Sequence, residues 1–177
     1  PGTKLYFVRV EEPDMHEPTG DLERLSRALK AQWDIERVTC DLQNLVRLQA
    51  ILRKGNWQIT VALYKDHISQ VPKVVSTWSG LHESGIYGLA IDLGSTTIAA
   101  HLTDLKSGAV IKSSGIMNPQ IRFGEDLMSR VSYSMMNPGG DQEMTKLVRE
   151  AINVLIGDMA KEAEIANDLI LEVVFVC

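Results

Sequence analysis

The sequence predicts a mixed α/β protein of two modules, and three observations point that way. Apolar residues recur with period two in some segments and with a helical period in others, interleaved along the whole chain. A polar, glycine-bearing stretch, PKVVSTWSGLHESG, interrupts this pattern and reads as a connector. Beyond it, three strand-like segments precede two helical ones and a last strand, the order of a mixed α/β layer. The expected division is a small α+β module over 1–72, a linker over 73–85 and a second module over 86–177.

In the first module, residues 5–10 (LYFVRV) form a strand, and EEPDMHEPTG, with two prolines, is a polar loop. A helix over 21–33 aligns Leu22, Leu25, Leu29 and Trp33 on one face, with Thr19 or Asp21 as its cap. DLQNLVRLQAILRKG is a second helix, capped by Asp41 and stopped at Gly55. NWQITVALY alternates, with Trp57, Ile59, Val61 and Leu63 to one side and Gln58, Thr60 and Ala62 to the other. KDH then turns the chain and ISQV returns as a hairpin partner.

The second module reads as strands 86–92, 97–104 and 109–117 in an antiparallel meander, with LKSG as the second turn. A helix over about 124–136 carries Phe123, Leu127, Val131 and Met135 on one stripe and ends at NPGG. A long helix over about 141–165 carries Met144, Leu147, Val148, Ala151, Ile152, Leu155 and Met159. The final strand, 169–176, is expected beside 86–92 and parallel to it, since the crossover between them is long enough for that pairing. LILEVVFVC looks like a buried-type strand, with Cys177 in the core. With that strand at one end and Pro1 at the other, the chain reads as a fragment of something larger.

Composition narrows the function. The 177 residues are 45% hydrophobic and 23% charged, with a net charge of −5. No basic tract or basic–aromatic interleaving speaks for nucleic acid, and no apolar run reaches membrane-spanning length. Two distant cysteines, Cys40 and Cys177, suit a reducing cytoplasm and argue against a disulfide scaffold or an iron–sulfur cluster within this chain. His16, His67, His82 and His101 have no partner at metal-ligand spacing.

The chemistry-bearing stretch is IYGLAIDLGSTTIAAHL, where a strand stops at Asp-Leu-Gly-Ser-Thr-Thr and another starts at once. Gly94 lets the backbone turn tightly and approach a ligand. Peptide N–H groups from Gly94 to Thr97 can converge on an anion, and Ser95, Thr96 and Thr97 add hydroxyl donors. Asp92 repels phosphate unless Mg²⁺ stands between them, and Mg²⁺ favours one or two carboxylates with waters and phosphate oxygens. The same six residues also suit a plain tight hairpin. There is no G-x-x-x-x-G-K motif, so this is not the other common phosphate loop.

AIDLGSTTIAAHLTDLKSG resembles the first phosphate motif of the acetate and sugar kinase, heat-shock chaperone and actin ATPase superfamily. The following NPQIRFGEDLMSRVSY resembles, more narrowly, the ATPase domain of the reductive activators of corrinoid proteins. The resemblance is specific over 90–133 and looser over the first 70 residues. It implies that 1–72 is the middle domain of such an activator. It also implies that 86–177 is the first part of an actin-like ATPase domain, an incomplete ribonuclease H-like subdomain. The implied activity is ATP-dependent return of corrinoid cobalt(II) to cobalt(I), with ATP and Mg²⁺ as cofactors. The electron would come from a 2Fe–2S domain expected in the full-length protein but not in this chain. The implied partner is a corrinoid protein or corrinoid-dependent methyltransferase, and a homodimer is expected. Carried over residue by residue, Asp92 is the catalytic and metal-positioning carboxylate, and Gly94, Ser95, Thr96 and Thr97 hold the β- and γ-phosphates.

Asn118, Gln120 and Arg122 follow the third strand where this superfamily opens its cleft, and Gln120 is the candidate for nucleotide contact. They also fit a loop and helix start, with Glu125 and Asp126 favoured by the helix dipole and Asp126–Arg130 as an i,i+4 pair. Two other functions share parts of the pattern. A small-molecule kinase would have DLGSTT but not NPQIRFGEDLMSR, and a non-catalytic interaction or dimerisation module would use DLGSTT only as a hairpin.

Overall fold

The computed structural model describes residues 2–177 and divides the chain into two units that meet in sequence at Ser84 and Gly85. In the first unit, β1 (Gly2–Arg9), β3 (Gln58–Lys65), β4 (Lys73–Ser79) and the short β2 (Thr39–Cys40) form one sheet in the order β1-β3-β4-β2. Helices α1 (Asp21–Trp33) and α2 (Leu42–Lys54) supply Leu25, Leu29, Leu48 and Leu52. These bury against Val8, Ile59, Val61, Leu63 and Val74 of the strands. Fully burying each such side chain contributes about 1.5–3 kcal/mol. Asp41 caps α2 by accepting the Asn44 N–H, as its position predicts. The cap of α1 differs: Gly20 occupies the N-cap without a side-chain bond, and Asp21 is already helical.

Two expectations for this unit are corrected. The stretch ISQV is loop, because Asp66 Oδ1 accepts the N–H groups of Ile68 and Ser69 and holds a local turn, and Pro72 follows. The return strand is β4, inside the segment 73–85 that reads as a linker. A bulge at Ala62/Leu63 shifts the β3–β4 register, so Val74 and Thr77, three apart, are both buried and no clean alternation shows. The parallel β2–β4 pairing has no counterpart in the sequence pattern.

In the second unit, β5 (Tyr87–Leu93), β6 (Thr97–Asp104), β7 (Val110–Met117) and β8 (Ile170–Val176) form a sheet in the order β7-β6-β5-β8. The first three are the expected antiparallel meander, and β8 pairs with β5 in parallel. Helix α4 (Gly140–Glu162) covers one face: Ile152, Leu155 and Met159 pack on Leu89, Ile91, Ile98, Ala100 and Leu102. Side chains alternate along strands, so the opposite face carries Ala90, Asp92, Thr97, Ala99, Ser113 and Gly115. Cys177 is exposed, and Val173 to Val176 of β8 are each about half exposed or more, which corrects the buried-strand expectation. No helix among the described residues is long and apolar enough to cross a membrane.

The segment after β7 departs most from the periodicity. Residues Pro119–Phe123 form a 3-10 turn, Gly124 ends it, and α3 begins only at Leu127, running to Met136. Its expected apolar stripe faces outward: Leu127 is 70% and Met135 82% exposed, whereas Arg130 is 7% exposed. The polar side turns inward, where the buried Arg130 donates to the carbonyl groups of Gly124 and Ser95.

Candidate functional site

Between β5 and β6 the chain reverses over residues 94–96. The Gly94 N–H donates to Thr97 O at 3.0 Å, closing the turn. A Cβ on residue 94 would lie 2.8 Å from that carbonyl oxygen, so the backbone approach itself requires glycine. The tight turn expected of Gly94 is therefore present, and for the expected reason.

The three carbonyls of the turn are all engaged from one neighbouring segment. Gly94 O accepts from Asn118 Nδ2 at 2.9 Å, Ser95 O from Arg130 Nη2 at 2.5 Å, and Thr96 O from the Asn118 N–H at 2.8 Å. No peptide bond here is cis. In a trans peptide the C=O and the following N–H point in opposite directions, so the N–H groups of Ser95, Thr96 and Thr97 each point away from the donor that holds the preceding carbonyl. Among the described residues, no acceptor engages the Ser95 or Thr96 N–H. The side chains of Ser95, Thr96 and Thr97 are exposed.

Asp92 lies two residues before the turn, exposed, in register with Ala99 of β6 and Val176 of β8. It shares the sheet face opposite α4 with Thr97. On that face the neighbours Ala90 of β5, Ala99 of β6 and Gly115 of β7 are small, while Val176 of β8 lies on the other side of the carboxylate. Asp92 is not part of any group of three or more metal-ligating side chains, since none occurs among the described residues. A cation there would bring most of its ligands as water and phosphate oxygens, which is how Mg²⁺ is usually held. The residues therefore fit a phosphate-borne Mg²⁺. They do not fit an iron–sulfur cluster, which needs four ligands of the cysteine type: Cys40 and Cys177 are the two cysteines present, one in each unit.

Of the three residues after β7, Asn118 alone touches the turn. Gln120 donates its Nε2 to Met144 O at 3.2 Å and so packs the 3-10 turn on α4; its own N–H is accepted by Asn118 Oδ1. Arg122 pairs with Glu143 at 3.2 Å and lies 4.7 Å over the Phe123 ring. Asp126 caps α3 through the Ser129 N–H at 2.7 Å, and that hydrogen bond, first among several, holds its carboxyl below the ordinary value. The expected Asp126–Arg130 pair gives way to this cap, while Arg130 donates its Nε to Gly124 O at 3.0 Å and its Nη2 to the turn. Arg130 is thus a site residue that sequence reasoning places on the surface instead. The signal that could find it is that LMSRVSYSMM holds one charge in ten residues, an odd place for an arginine that only solvates a surface.

Two family models match the chain, the RACo linker region over residues 1–84 and the RACo middle region over 87–177. These names differ from the reading of 1–72 as a middle domain and 86–177 as the start of an ATPase domain. Corrinoid activation enzyme RamQ of Eubacterium limosum is 31% identical over 93 residues, covering 52% of this chain and 16% of the relative. A solved structure, the reductive activator for corrinoid, iron-sulfur protein, superposes with a TM-score of 0.81 at 32% identity, covering 99% of this chain and 27% of that one. The chain thus spans between 16% and 27% of the length of these relatives. With a family model over its second half and a shared fold over nearly its whole length, the chain belongs to the RACo family of reductive activators of corrinoid proteins and carries its linker and middle regions.

Proposed function

We propose that the longer protein containing these regions returns an inactive corrinoid cobalt(II) to cobalt(I) in a reaction that uses ATP, and that residues 92–97 hold the Mg²⁺-bound phosphates. The observation that supports the phosphate role is the turn, in which three consecutive carbonyls are tied back and the Ser95 and Thr96 N–H groups are free to donate beside an exposed carboxylate. The corrinoid half rests on the names of the relatives.

On this reading the N–H groups and hydroxyls of Ser95, Thr96 and Thr97 donate to β- and γ-phosphate oxygens, and Gly94 allows the close approach. Asp92 accepts from water on the metal and balances charge where the triphosphate lies. Mg²⁺-bound ATP supplies the free energy of phosphoanhydride cleavage. The electron enters from a 2Fe–2S domain outside this chain, and the acceptor is a corrinoid protein or corrinoid-dependent methyltransferase in a reducing cytoplasm.

Asp92→Ala in the full-length protein tests the phosphate role. It should lower Mg²⁺-dependent ATP turnover about a hundredfold or more. Folding should be nearly unchanged, because the side chain is exposed. Thr97→Val, which keeps the β-branched shape, should weaken nucleotide affinity alone. If Asp92→Ala melts the protein while the rate per folded molecule stays intact, Asp92 is a structural turn residue and the proposal is wrong.

A further inference from the structure

The turn needs no help to exist as a hairpin. Its carbonyls lie at the surface end of a sheet, where water can serve them, yet a buried asparagine and a buried arginine are committed to them instead. Asn118 is 2% exposed and commits its side chain and its N–H to this corner: Nδ2 on Gly94 O, its N–H on Thr96 O, and Oδ1 on the Gln120 N–H. Arg130 takes Ser95 O and Gly124 O. Burying an arginine carries a large desolvation cost, and carbonyl groups that water could hydrate are a poor reason to bear it. Holding the direction of the peptide planes is a better one.

We infer that Asn118 and Arg130 are positioning residues, which aim the N–H groups of Ser95 and Thr96 at a bound phosphate by holding the carbonyls of the turn. This rests on the phosphate reading of the turn. The two donors act differently. Asn118 grips the first and third carbonyls and so sets the plane of the turn. Arg130 grips the middle one with a permanent charge. Its guanidinium at Ser95 O polarises that peptide in the same sense as an anion at the Thr96 N–H on its other side, so each strengthens the other. Even the neighbouring glycine serves this arrangement: Gly124 has φ of +155°, and a Cβ there would lie 2.4 Å from the Ser129 Cβ. A side chain at 124 would push α3, and Arg130 with it, away from the turn. The outward-facing apolar residues of α3 follow as a consequence, since the helix is oriented by Arg130 and not by its stripe.

The test uses the full-length protein, Mg²⁺-bound ATP, and amide hydrogen exchange over the 94–97 segment. Asn118→Asp is nearly isosteric and keeps the backbone donor and one acceptor oxygen, but replaces the donor to Gly94 O with an oxygen. Arg130→Lys keeps the charge but cannot hold both carbonyls. Both variants should keep the circular dichroism of the wild type while the Kd for Mg²⁺-bound ATP rises about tenfold. The nucleotide should slow exchange at 94–97 in the wild type and lose that effect in Asn118→Asp. A merely structural role would move melting temperature and leave this nucleotide-dependent protection in place. Should Asn118→Asp fail to fold, Arg130→Lys carries the same comparison. Wild-type affinity and protection in a folded variant, with Asp92→Ala and Thr97→Val defective, would overturn this inference alone. No nucleotide protection at 94–97 in the wild type would overturn the phosphate reading and this inference together.

Discussion

Gly94→Ala and Gly157→Ala make the same chemical change in the same unit and should move its stability in opposite directions. At Gly94 the new Cβ would sit 2.8 Å from Thr97 O, against an ordinary contact of at least 3.4 Å, so the backbone must open by about 0.6 Å. The clashing atom is the acceptor of the Gly94 N–H, and opening the contact stretches the bond that closes the turn. Overpacking of this kind costs about 1–3 kcal/mol. At Gly157, within α4, a Cβ would meet nothing within 4 Å. Replacing a mid-helix glycine by alanine should then stabilise by about 0.5–1 kcal/mol. For a unit of about 90 residues, each kcal/mol moves the melting temperature by about 4–8 °C, so the expected shifts are about −4 to −24 °C and about +2 to +8 °C. All three tryptophans, Trp33, Trp57 and Trp78, belong to the first unit, so fluorescence follows that unit. Far-UV circular dichroism reports the helices of both units, so the second unit's transition is the far-UV change that fluorescence does not follow. An unchanged or raised melting point for Gly94→Ala would show that the turn has room for a side chain and would refute the close approach of residue 94 to Thr97 O. A lowered one for Gly157→Ala would refute the open environment of the helix.

Two further outcomes are expected. Asp41, Asp104 and Asp126 are each held below the ordinary carboxyl value of 3.8, chiefly by N–H groups of Asn44, Ser107 and Ser129 respectively. Their folded pKa values lie below the unfolded ones, so their stabilisation is complete above about pH 5 and is lost as pH falls through the folded values; urea midpoints should drop below about pH 4, and Asp104→Asn should flatten that drop. The 177-residue chain should self-associate through the exposed apolar residues of β8 and α3, and Val174→Lys with Met135→Lys should reduce the mass seen by size-exclusion chromatography with light scattering.

Local signals in the sequence are sufficient where local physics decides. Asp41 caps, Gly55 stops, the three-strand meander and the parallel β8 follow from spacing and from crossover length. They are insufficient where a distant partner decides. β4 looks like a linker because a bulge breaks its alternation, and the bulge belongs to its pairing with β3. The α3 stripe looks like a core face because periodicity counts apolar residues and cannot know that carbonyls at Gly124 and Ser95 await a donor. At the candidate site, the turn around Gly94 is local, and so is the placing of Asp92, Ser95, Thr96 and Thr97 beside it. Gln120, the candidate for nucleotide contact, donates to Met144 O of α4, and Arg130, which reads as a surface ion-pair partner, reaches back to the turn.

That last pairing changes what the motif is. Asp-Leu-Gly-Ser-Thr-Thr alone is a hairpin with hydroxyls, and in an isolated peptide its three carbonyls would be hydrated and its peptide planes free to rotate. Asn118 is 24 residues from Gly94, and Arg130 is 35 from Ser95. Only when β7 has paired with β6 does Asn118 arrive beside the turn, and only when Gly124 lets α3 approach does Arg130 follow. The orientation of the N–H groups is therefore a product of tertiary structure, set before any ligand arrives. A ligand meeting a turn already held in this way loses little further backbone entropy on binding. On the phosphate reading, DLGSTT and NPQIRFGEDLMSR are two halves of one device, the first presenting donors and the second aiming them.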